Sequence, residues 1–313
     1  MRTFLFSIGL LASILTLGSL LGRFNWTLDA LAQFHLQYTF LLAVVIGGLI
    51  WLGAPRRVLL LLPALLVNLV LFMPFLLAPS PPRPSAAGPS LRVMSINISL
   101  SDAAHPHIID LIRREEPDIV YLSEVREDMV TRLRSELGES YPVQLAQPSR
   151  FTQGVAILAR DPNAAVEIGQ FSDDVRKYAR ADFTWQGRPV TLLGIHPLPP
   201  TRRRWSASRD KELEMMAQLA REIDRPFILM GDLNASPWSS AMQTMTRQGD
   251  LRYADPRRAI LPTFFTGGRA VGLFTGVPLD HILVTPEWSV STYRRLSDVG
   301  SDHIPVRADL VLQ

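Results

Sequence analysis

Three uncharged apolar runs, residues 4–22, 38–54 and 58–78, fill the start of the chain. A helix needs about 20 apolar residues to cross a hydrocarbon core of ~30 Å, with roughly 17 tolerated. All three runs meet that length, the second marginally. The third contains Asn68, Pro63 and Pro74, which a membrane helix absorbs where neighbouring helices re-satisfy the freed backbone groups. Trp26 and Trp51 lie near run ends, where an amphipathic ring favours the headgroup level. The first run is long for a cleaved leader and has no clear small-residue cleavage site behind it, so it reads as a retained span. Residues 79–90, PSPPRPSAAGPS, then form a linker, and four prolines in its first six residues make its start stiff and extended.

From residue 91 the apolar positions come in short runs. Strands are predicted over 92–97, 118–123, 154–159, 179–185, 189–195, 227–230, 282–284 and 306–312, with Gln186-Gly187 turning the fourth into the fifth as a hairpin. Helices are predicted over 126–137, with Gly138 as its stop, and over 207–223. Another starts near Ser101 or Asp102, carries Pro106 in its first turn, buries Ile108, Ile109, Leu111 and Ile112, and ends before Pro117. Strands and helices mix without regular βαβ spacing and a hairpin is present. That predicts an α/β sandwich rather than a parallel doubly wound sheet.

Composition sharpens this picture. At 47% hydrophobic and 19% charged residues, the chain is not a disordered polyelectrolyte. It has no cysteine, which excludes disulfides, thiolate metal sites and cysteine nucleophiles. A net charge of +3 and a pI of about 9.5 hint at a polyanionic partner, until the charge is located. Of 32 basic and 29 acidic residues, five arginines (Arg2, Arg23, Arg56, Arg57, Arg83) and one acid, Asp29, lie in 1–90, leaving 27 basic against 28 acidic in 91–313. The excess belongs to the apolar end and is a topology signal. Arg2 with the amino terminus, and Arg56-Arg57 between the second and third runs, mark the cytoplasmic side, whereas the loop 23–37 has one arginine. The expectation is a multi-pass inner (plasma) membrane protein with residues 91–313 on the periplasmic or extracellular side.

The polar residues that carry chemistry share one placement, the end of an apolar strand. Asn97 ends VMSIN, Glu124 follows IVYLS, His196 follows LLGI, Asp232 and Asn234 follow FILMG, and Asp302 and His303 precede the last strand. Taken singly, each is an ordinary turn former or structural hydrogen-bonder. Together they form a set of acids, imidazoles and amides without thiols, which suits Mg²⁺ or Mn²⁺ better than zinc. Such an ion beside an Asp–His pair suits hydrolysis of phosphate esters. The stretch Arg202-Arg203-Arg204-Trp205, with Arg209, follows His196. It reads either as a solvated entry to the long helix or as a loop that holds a phosphate, a lipid headgroup or a nucleic-acid backbone, with Arg204 and Arg209 as candidate substrate contacts. Arg257-Arg258 and residues 263–268 form a second candidate rim loop.

The segments 91–98 (LRVMSINI), 117–125 (PDIVYLSEV), 154–160 (GVAILAR), 190–196 (VTLLGIH), 231–234 (GDLN), 279–284 (LDHILV) and 301–306 (SDHIPV), in this order and spacing, resemble the endonuclease/exonuclease/phosphatase superfamily. The resemblance implies a four-layer α/β sandwich, two mixed sheets flanked by helices, over residues 91–313; the three-helix transmembrane anchor expected over residues 1–78 and the linker 79–90 lie outside it and rest on the apolar runs and prolines. It implies a metal-dependent phosphoesterase using Mg²⁺ or Mn²⁺, with in-line attack by water. Glu124 would be the principal metal carboxylate, with Asn97 on the same ion or on the phosphate and Asp302 near the metal. Asp232 would align or deprotonate the water, and Asn234 would hold that water or a phosphate oxygen. Asp280 would fix the tautomer of His303 and favour its imidazolium, while His196 would bind phosphate on the leaving-group side. Ser123 departs from the glutamine that many members carry before the metal glutamate, which alters a neighbouring hydrogen bond and not the ligand. His281 is read as structural, His105 and His107 as surface residues, and His35 as a membrane-interface residue.

The catalytic part is nearly neutral, so it lacks the bulk basic surface with which a nuclease grips phosphates. With the membrane anchor, this favours a lipid or lipid-linked phosphoester. A periplasmic nuclease acting on DNA or RNA is the alternative, and a catalytically inactive tethered scaffold the second alternative. No partner protein is evident.

Overall fold

The computed structural model describes residues 1–78, 89–99, 104–266 and 272–313. Most of the predicted linker, the predicted cap at Ser101 or Asp102 and the end of the 263–268 stretch lie outside the described residues. Arg2–Ser19 (α1), Trp26–Leu31 (α2), His35–Trp51 (α3) and Pro55–Leu76 (α4) are helical. Arg2–Ser19, the stretch Trp26–Trp51 and Pro55–Leu76 are each long and apolar enough to cross a membrane, which is compatible with a membrane anchor.

These helices close on one another through Ala12, Leu42, Val45, Leu49, Leu61 and Ala64. Gly9 permits the approach of α1 to α4, because a Cβ there would lie 2.5 Å from Leu61 Cδ1. Polar side chains inside the bundle satisfy each other. Asn68 donates from Nδ2 to Thr16 Oγ1 at 3.1 Å, its Oδ1 lies 2.6 Å from His35 Nδ1, and His35 Nε2 lies 3.1 Å from Ser19 Oγ. Such links join helices where apolar contact alone offers no preference over lipid. His35 is buried, its ring spanning Ser19 and Asn68. Apart from Phe151, Phe171 and Phe274, every large exposed apolar side chain among the described residues belongs to residues 1–77.

The rest of the chain builds two sheets. Its strands are Leu91–Asn97 (β1), Ile119–Ser123 (β2), Val143–Gln147 (β3), Val155–Ala159 (β4), Ala165–Gln170 (β5), Lys177–Trp185 (β6), Arg188–Ile195 (β7), Phe227–Asp232 (β8), Arg252–Tyr253 (β9), Phe264–Phe265 (β10), Gly276–Val277 (β11), Asp280–Val284 (β12), Trp288–Arg295 (β13) and Val306–Leu312 (β14). One sheet has the order β13-β14-β1-β2-β4-β3 and the other β5-β6-β7-β8-β12-β9, while β10 and β11 form a separate hairpin. Within each six-stranded sheet one pair is parallel, β1 with β2 and β7 with β8, so both sheets are mixed.

The sheets pack face to face through residues such as Val93, Tyr121, Ile157 and Ala308 against Ala179, Leu192, Ile228 and Ile282. Helices His105–Glu115 (α5) and Glu127–Leu137 (α6) cover the outer face of the first sheet through Ile108, Ile112, Met129 and Leu133. Helices Arg203–Glu222 (α7) and Ser240–Gln248 (α8) cover the second through Leu213, Met216, Met242 and Met245. The predicted α/β sandwich with helices on both outer faces is the observed architecture. Gly194 is needed where the sheets meet, since a Cβ there would sit 2.1 Å from the Tyr121 ring.

The hairpin at Gln186-Gly187 forms with both residues at positive φ, 51° and 77°, the geometry a two-residue turn between twisted strands requires. Helix α6 ends at Leu137 with Gly138 as its stop, as expected, Gly138 staying right-handed at φ −58°, while Glu116 supplies a left-handed cap at φ 47° for α5. Two details differ from expectation. The long helix starts at Arg203, four residues earlier than predicted. His105 is buried with Nδ1 3.5 Å from Asp128, because it sits in the first turn of α5 over α6, while His107 is exposed as expected.

Candidate active site

Strand register brings the strand-end residues to one rim. β1 and β2 run parallel with Asn97 beside Ser123, so Asn97 and Glu124 emerge together. β7 and β8 run parallel in the other sheet and present His196 and Asp232 at their ends, while antiparallel β12 begins with Asp280 opposite Asp232. β14 is antiparallel to β1, with Val306 opposite Ser95, which brings His303 back to the same end. The two sheets join across this rim where Asn97 Nδ2 donates to Asp232 Oδ2 at 3.1 Å and to Glu124 Oε1 at 3.3 Å. Gly231, at φ 144°, allows β8 to press on β7, because a Cβ there would lie 1.9 Å from the Ile195 carbonyl oxygen.

Asp232 is the hub. It is buried, accepts from the Asn234 backbone N–H at 3.0 Å, and its Oδ2 lies 3.4 Å from His196 Nε2 and 3.5 Å from His303 Nε2. Burial alone would push its carboxyl up, but the charge of His303, the hydrogen bond from His196 and the Asn234 amide bring it well below the usual carboxylate range. His303 Nδ1 lies 2.8 Å from Asp280 Oδ2. Burial would lower this imidazole, yet the Asp280 and Asp232 carboxylates raise it to about 10, so the ring is an imidazolium at neutral pH. Thr263 Oγ1 accepts the Asp280 backbone N–H at 2.9 Å, and the Phe264 ring lies 4.8 Å from that of His303.

Glu124 is half-buried at the rim. Burial raises its carboxyl above the ordinary value, against the opposing effects of His196 and the Asn97 amide. Its backbone sits at φ 63°, and Asn234 at φ 48°, in the left-handed region where non-glycine residues carry strain. Asn234 Nδ2 donates to the Pro197 carbonyl at 3.0 Å.

Asp232, Asp280 and His303 offer ligand atoms all within 4.8 Å of one another. That trio already holds an imidazolium between its carboxylates. Glu124 has only the longer contact of its Oε1 with His196 Nε2, at 3.8 Å, so a hard cation gains more beside it. Asn97, as it stands, turns its nitrogen toward Glu124 while its Oδ1 accepts from the Ser99 N–H at 3.0 Å. Asp302 is exposed at the rim and adds negative charge beside His303. Ser123 Oγ is buried without a hydrogen-bond partner among the described residues, at the place where the glutamine is missing. His281 faces away, its Nε2 3.1 Å from the Ala235 and Pro278 carbonyls, and burial lowers it to about 4.

The two candidate substrate arginines part company. Arg204 is exposed in the first turn of α7. Arg209 is wholly buried, with NH2 2.7 Å from Asp29 Oδ2 and NH1 3.2 Å from the Asn234 carbonyl, so it cannot meet substrate from there. It lies on the inward stripe of α7, which the charge-based expectation did not consider.

Arg176 was not anticipated. Its NH1 lies 3.1 Å from His196 Nδ1 and 2.7 Å from the Thr152 carbonyl, and its backbone N–H donates to buried Glu212 at 3.3 Å. A guanidinium only donates, so this contact makes Nδ1 an acceptor and leaves the His196 proton on Nε2, facing Asp232. Position just before an apolar strand was its one sequence signal.

Residues 94–303 match the profile of the Endonuclease/Exonuclease/phosphatase family. Among solved structures, a humanized D. rerio TDP2 carrying 14 mutations is 19% identical and aligns over 71% of this chain and 99% of its own, with a TM-score of 0.57. An endonuclease/exonuclease/phosphatase from Bacteroides vulgatus is 20% identical over 72% and 100%, with a TM-score of 0.57. Sphingomyelinase C from Streptomyces griseocarneus is 20% identical over 71% and 99%, with a TM-score of 0.53. At these identities the likeness is one of fold. No curated protein sequence matches the chain. The matched stretch spans two thirds of the chain, holds the strand-end residues from Asn97 to His303 and leaves the three apolar helices outside. The chain belongs to the endonuclease/exonuclease/phosphatase family, whose members are hydrolases acting on phosphoesters.

Proposed function

We propose that the chain is a membrane-anchored, divalent-metal-dependent phosphodiesterase acting on a phosphoester presented at the membrane surface. The observation that carries this reading is the convergence of Asn97, Glu124, His196, Asp232 and the His303–Asp280 pair on one rim. Glu124 would hold Mg²⁺ or Mn²⁺, with Asp302 adding negative charge from the solvent side. A bound cation supplies Lewis-acid stabilisation of charge on the phosphoryl oxygens.

The protein groups do the rest. Asp232 accepts a hydrogen bond from the attacking water and aligns it in line with the phosphorus. Its depressed carboxyl makes it a better orienter than proton store. The His303 imidazolium, held by Asp280, places a positive N–H at the phosphoryl group, and His196 donates from Nε2 on the leaving-group side. Asn97 presents its amide N–H to the same space, which favours a contact with a phosphate oxygen, and the Asn234 amide borders the water. Most of the rate enhancement is then electrostatic.

Substrate class follows from charge and placement. The nearly neutral residues 91–313 and the apolar helices support a lipid or lipid-linked phosphoester, and the exposed Arg204 stands at the start of α7 to meet a headgroup. The decisive experiment uses full-length protein in detergent with Mg²⁺ and a panel of phospholipids, lipid-linked phosphates, plasmid DNA, RNA and phosphomonoesters. Cleavage of lipid phosphoesters supports the reading, and cleavage of nucleic acid alone overturns the lipid assignment. Glu124→Gln should abolish metal-dependent turnover of a chromogenic phosphodiester while the thermal unfolding transition is retained. Undiminished turnover in that variant overturns the metal assignment.

A further inference from the structure

The start of the second apolar stretch, α2 and the turn that follows it, does more than lead into α3. Asp29 in α2 is the one acid of residues 1–90, and it is buried. Its Oδ2 accepts from Arg209 NH2 at 2.7 Å, and its Oδ1 accepts from the Ser240 N–H at 2.5 Å and from Ser240 Oγ at 2.7 Å. One turn later, buried Gln33 donates from Nε2 to the Asn234 carbonyl at 3.2 Å and accepts from the Ser236 N–H at 3.1 Å, while Ser236 Oγ donates to the Ala32 carbonyl. Arg209 NH1 is the second donor to the Asn234 carbonyl, at 3.2 Å. The loop is also seated by Trp238, which packs edge-on against Phe72, Phe75 and His35 and donates from Nε1 to the Leu71 carbonyl at 3.3 Å.

We propose that Gln33 and the Asp29–Arg209 pair are positioning residues that hold residues 233–240 in their working conformation, so that the anchor completes the active site and fixes its orientation to the bilayer. The inference rests on the reading of Asn234 as a site residue. Asn234 stands at φ 48° directly after the hub Asp232, and its own backbone N–H binds Asp232 Oδ1. Asparagine enters the left-handed region more readily than most side chains, and its surroundings hold it there. Here two buried donors converge on its carbonyl, one from the membrane segment and one from an arginine that the same segment neutralises. Turning the Asn234–Ala235 peptide would break both, on the residue whose own N–H binds Asp232. A tether whose only task is attachment needs no buried ion pair at the catalytic loop. The same contacts leave the rim in one pose above the bundle, which suits a substrate whose phosphate always arrives from the membrane surface.

The test uses full-length wild type, Gln33→Ala, Gln33→Glu and Glu124→Gln in lipid nanodiscs with Mg²⁺ and a soluble chromogenic phosphodiester. Gln33→Glu is nearly isosteric and still accepts from the Ser236 N–H, but sets a carboxylate oxygen against the Asn234 carbonyl. Both Gln33 variants should lose about tenfold to hundredfold in kcat, the scale of a slightly misplaced catalytic group. KM should stay within about twofold, and the folded fraction, read from the thermal transition, should be unchanged. Wild-type kcat in both Gln33 variants overturns the proposal, and so does a loss that merely tracks the unfolded fraction. Glu124→Gln reports on the metal assignment independently. Full turnover there refutes that assignment, and the Gln33 variants still decide the positioning role.

Discussion

Replacing Asp280 by asparagine preserves the shape of the side chain opposite His303 but removes the charge that keeps the ring protonated. Burial disfavours the imidazolium, and the carboxylates of Asp280, at 2.8 Å, and Asp232, at 3.5 Å, overcome it to raise the ring to about 10. Against an ordinary value of 6.5, that rise corresponds to a few kcal/mol of net attraction, at about 1.4 kcal/mol per decade, divided between the two carboxylates. Asp232 also serves His196. With Asp280 neutralised, Asp232 alone must oppose the same burial, and the titration of His303 should fall by roughly two decades or more. If the imidazolium contacts the phosphoryl group, kcat of the wild type is insensitive to His303 up to about pH 9, whereas Asp280→Asn should lose about tenfold per pH unit above roughly pH 8. The assay is kcat against pH with saturating Mg²⁺ and a soluble phosphodiester. Stability gives a second readout with a definite sign. A base raised on folding stabilises the native state fully below its unfolded value and loses that contribution as pH rises through its folded value. The wild-type thermal midpoint should therefore fall between about pH 6.5 and pH 10 relative to that of Asp280→Asn. An alkaline limb at the same pH in both proteins would refute the argument.

Two further predictions concern the interior behind the site. Burial pushes the Glu212 carboxyl up to about 8, despite the Arg176 backbone N–H and guanidinium, so its contribution is greatest below the ordinary value of 4.5 and is lost as pH rises through 8. Glu212→Gln should match the wild type in thermal midpoint near pH 4.5 and exceed it near pH 8.5. Parallel curves would show that Glu212 is fully compensated as an anion. Gly194→Ala inserts a methyl 2.1 Å from the Tyr121 ring between the sheets. It should cost about 1–3 kcal/mol of overpacking, read as a drop of a few degrees in differential scanning fluorimetry. An unchanged midpoint would mean that the sheets separate freely there.

Which elements were legible follows from burial. The strands ending in Asn97, Ser123 and Asp232 lie in sheet interiors, almost every position is covered, and they read as continuous apolar runs. β3 and β5 sit on sheet edges with half-exposed positions, so VQLAQ and AVEIGQ carry little pattern. β13 has a register shift between Val290 and Thr292, which breaks the alternation that would have marked it. The strand-end residues were visible because each breaks an apolar run, and the parallel pairs β1–β2 and β7–β8 with the antiparallel β12 and β14 bring those positions to one rim.

Arg209 shows what a charge count misses. Grouped with Arg202, Arg203 and Arg204 it looked like part of a solvated basic patch, but Ser206, Arg209, Leu213, Met216 and Ala220 recur at helical spacing and form one inward stripe. An arginine on a buried stripe requires a buried anion, because an uncompensated charge there is costly. Asp210 is its sequence neighbour, with Oδ1 2.6 Å away, but that carboxylate is partly exposed. The other anion is Asp29, the lone acid among the first 90 residues, in the short helix α2. A solitary acid beside two apolar spans and a solitary cation on an apolar helical stripe are each anomalous in their own segment. Each becomes intelligible when paired with the other, and that pairing ties residues 234–240 to the apolar N-terminal helices.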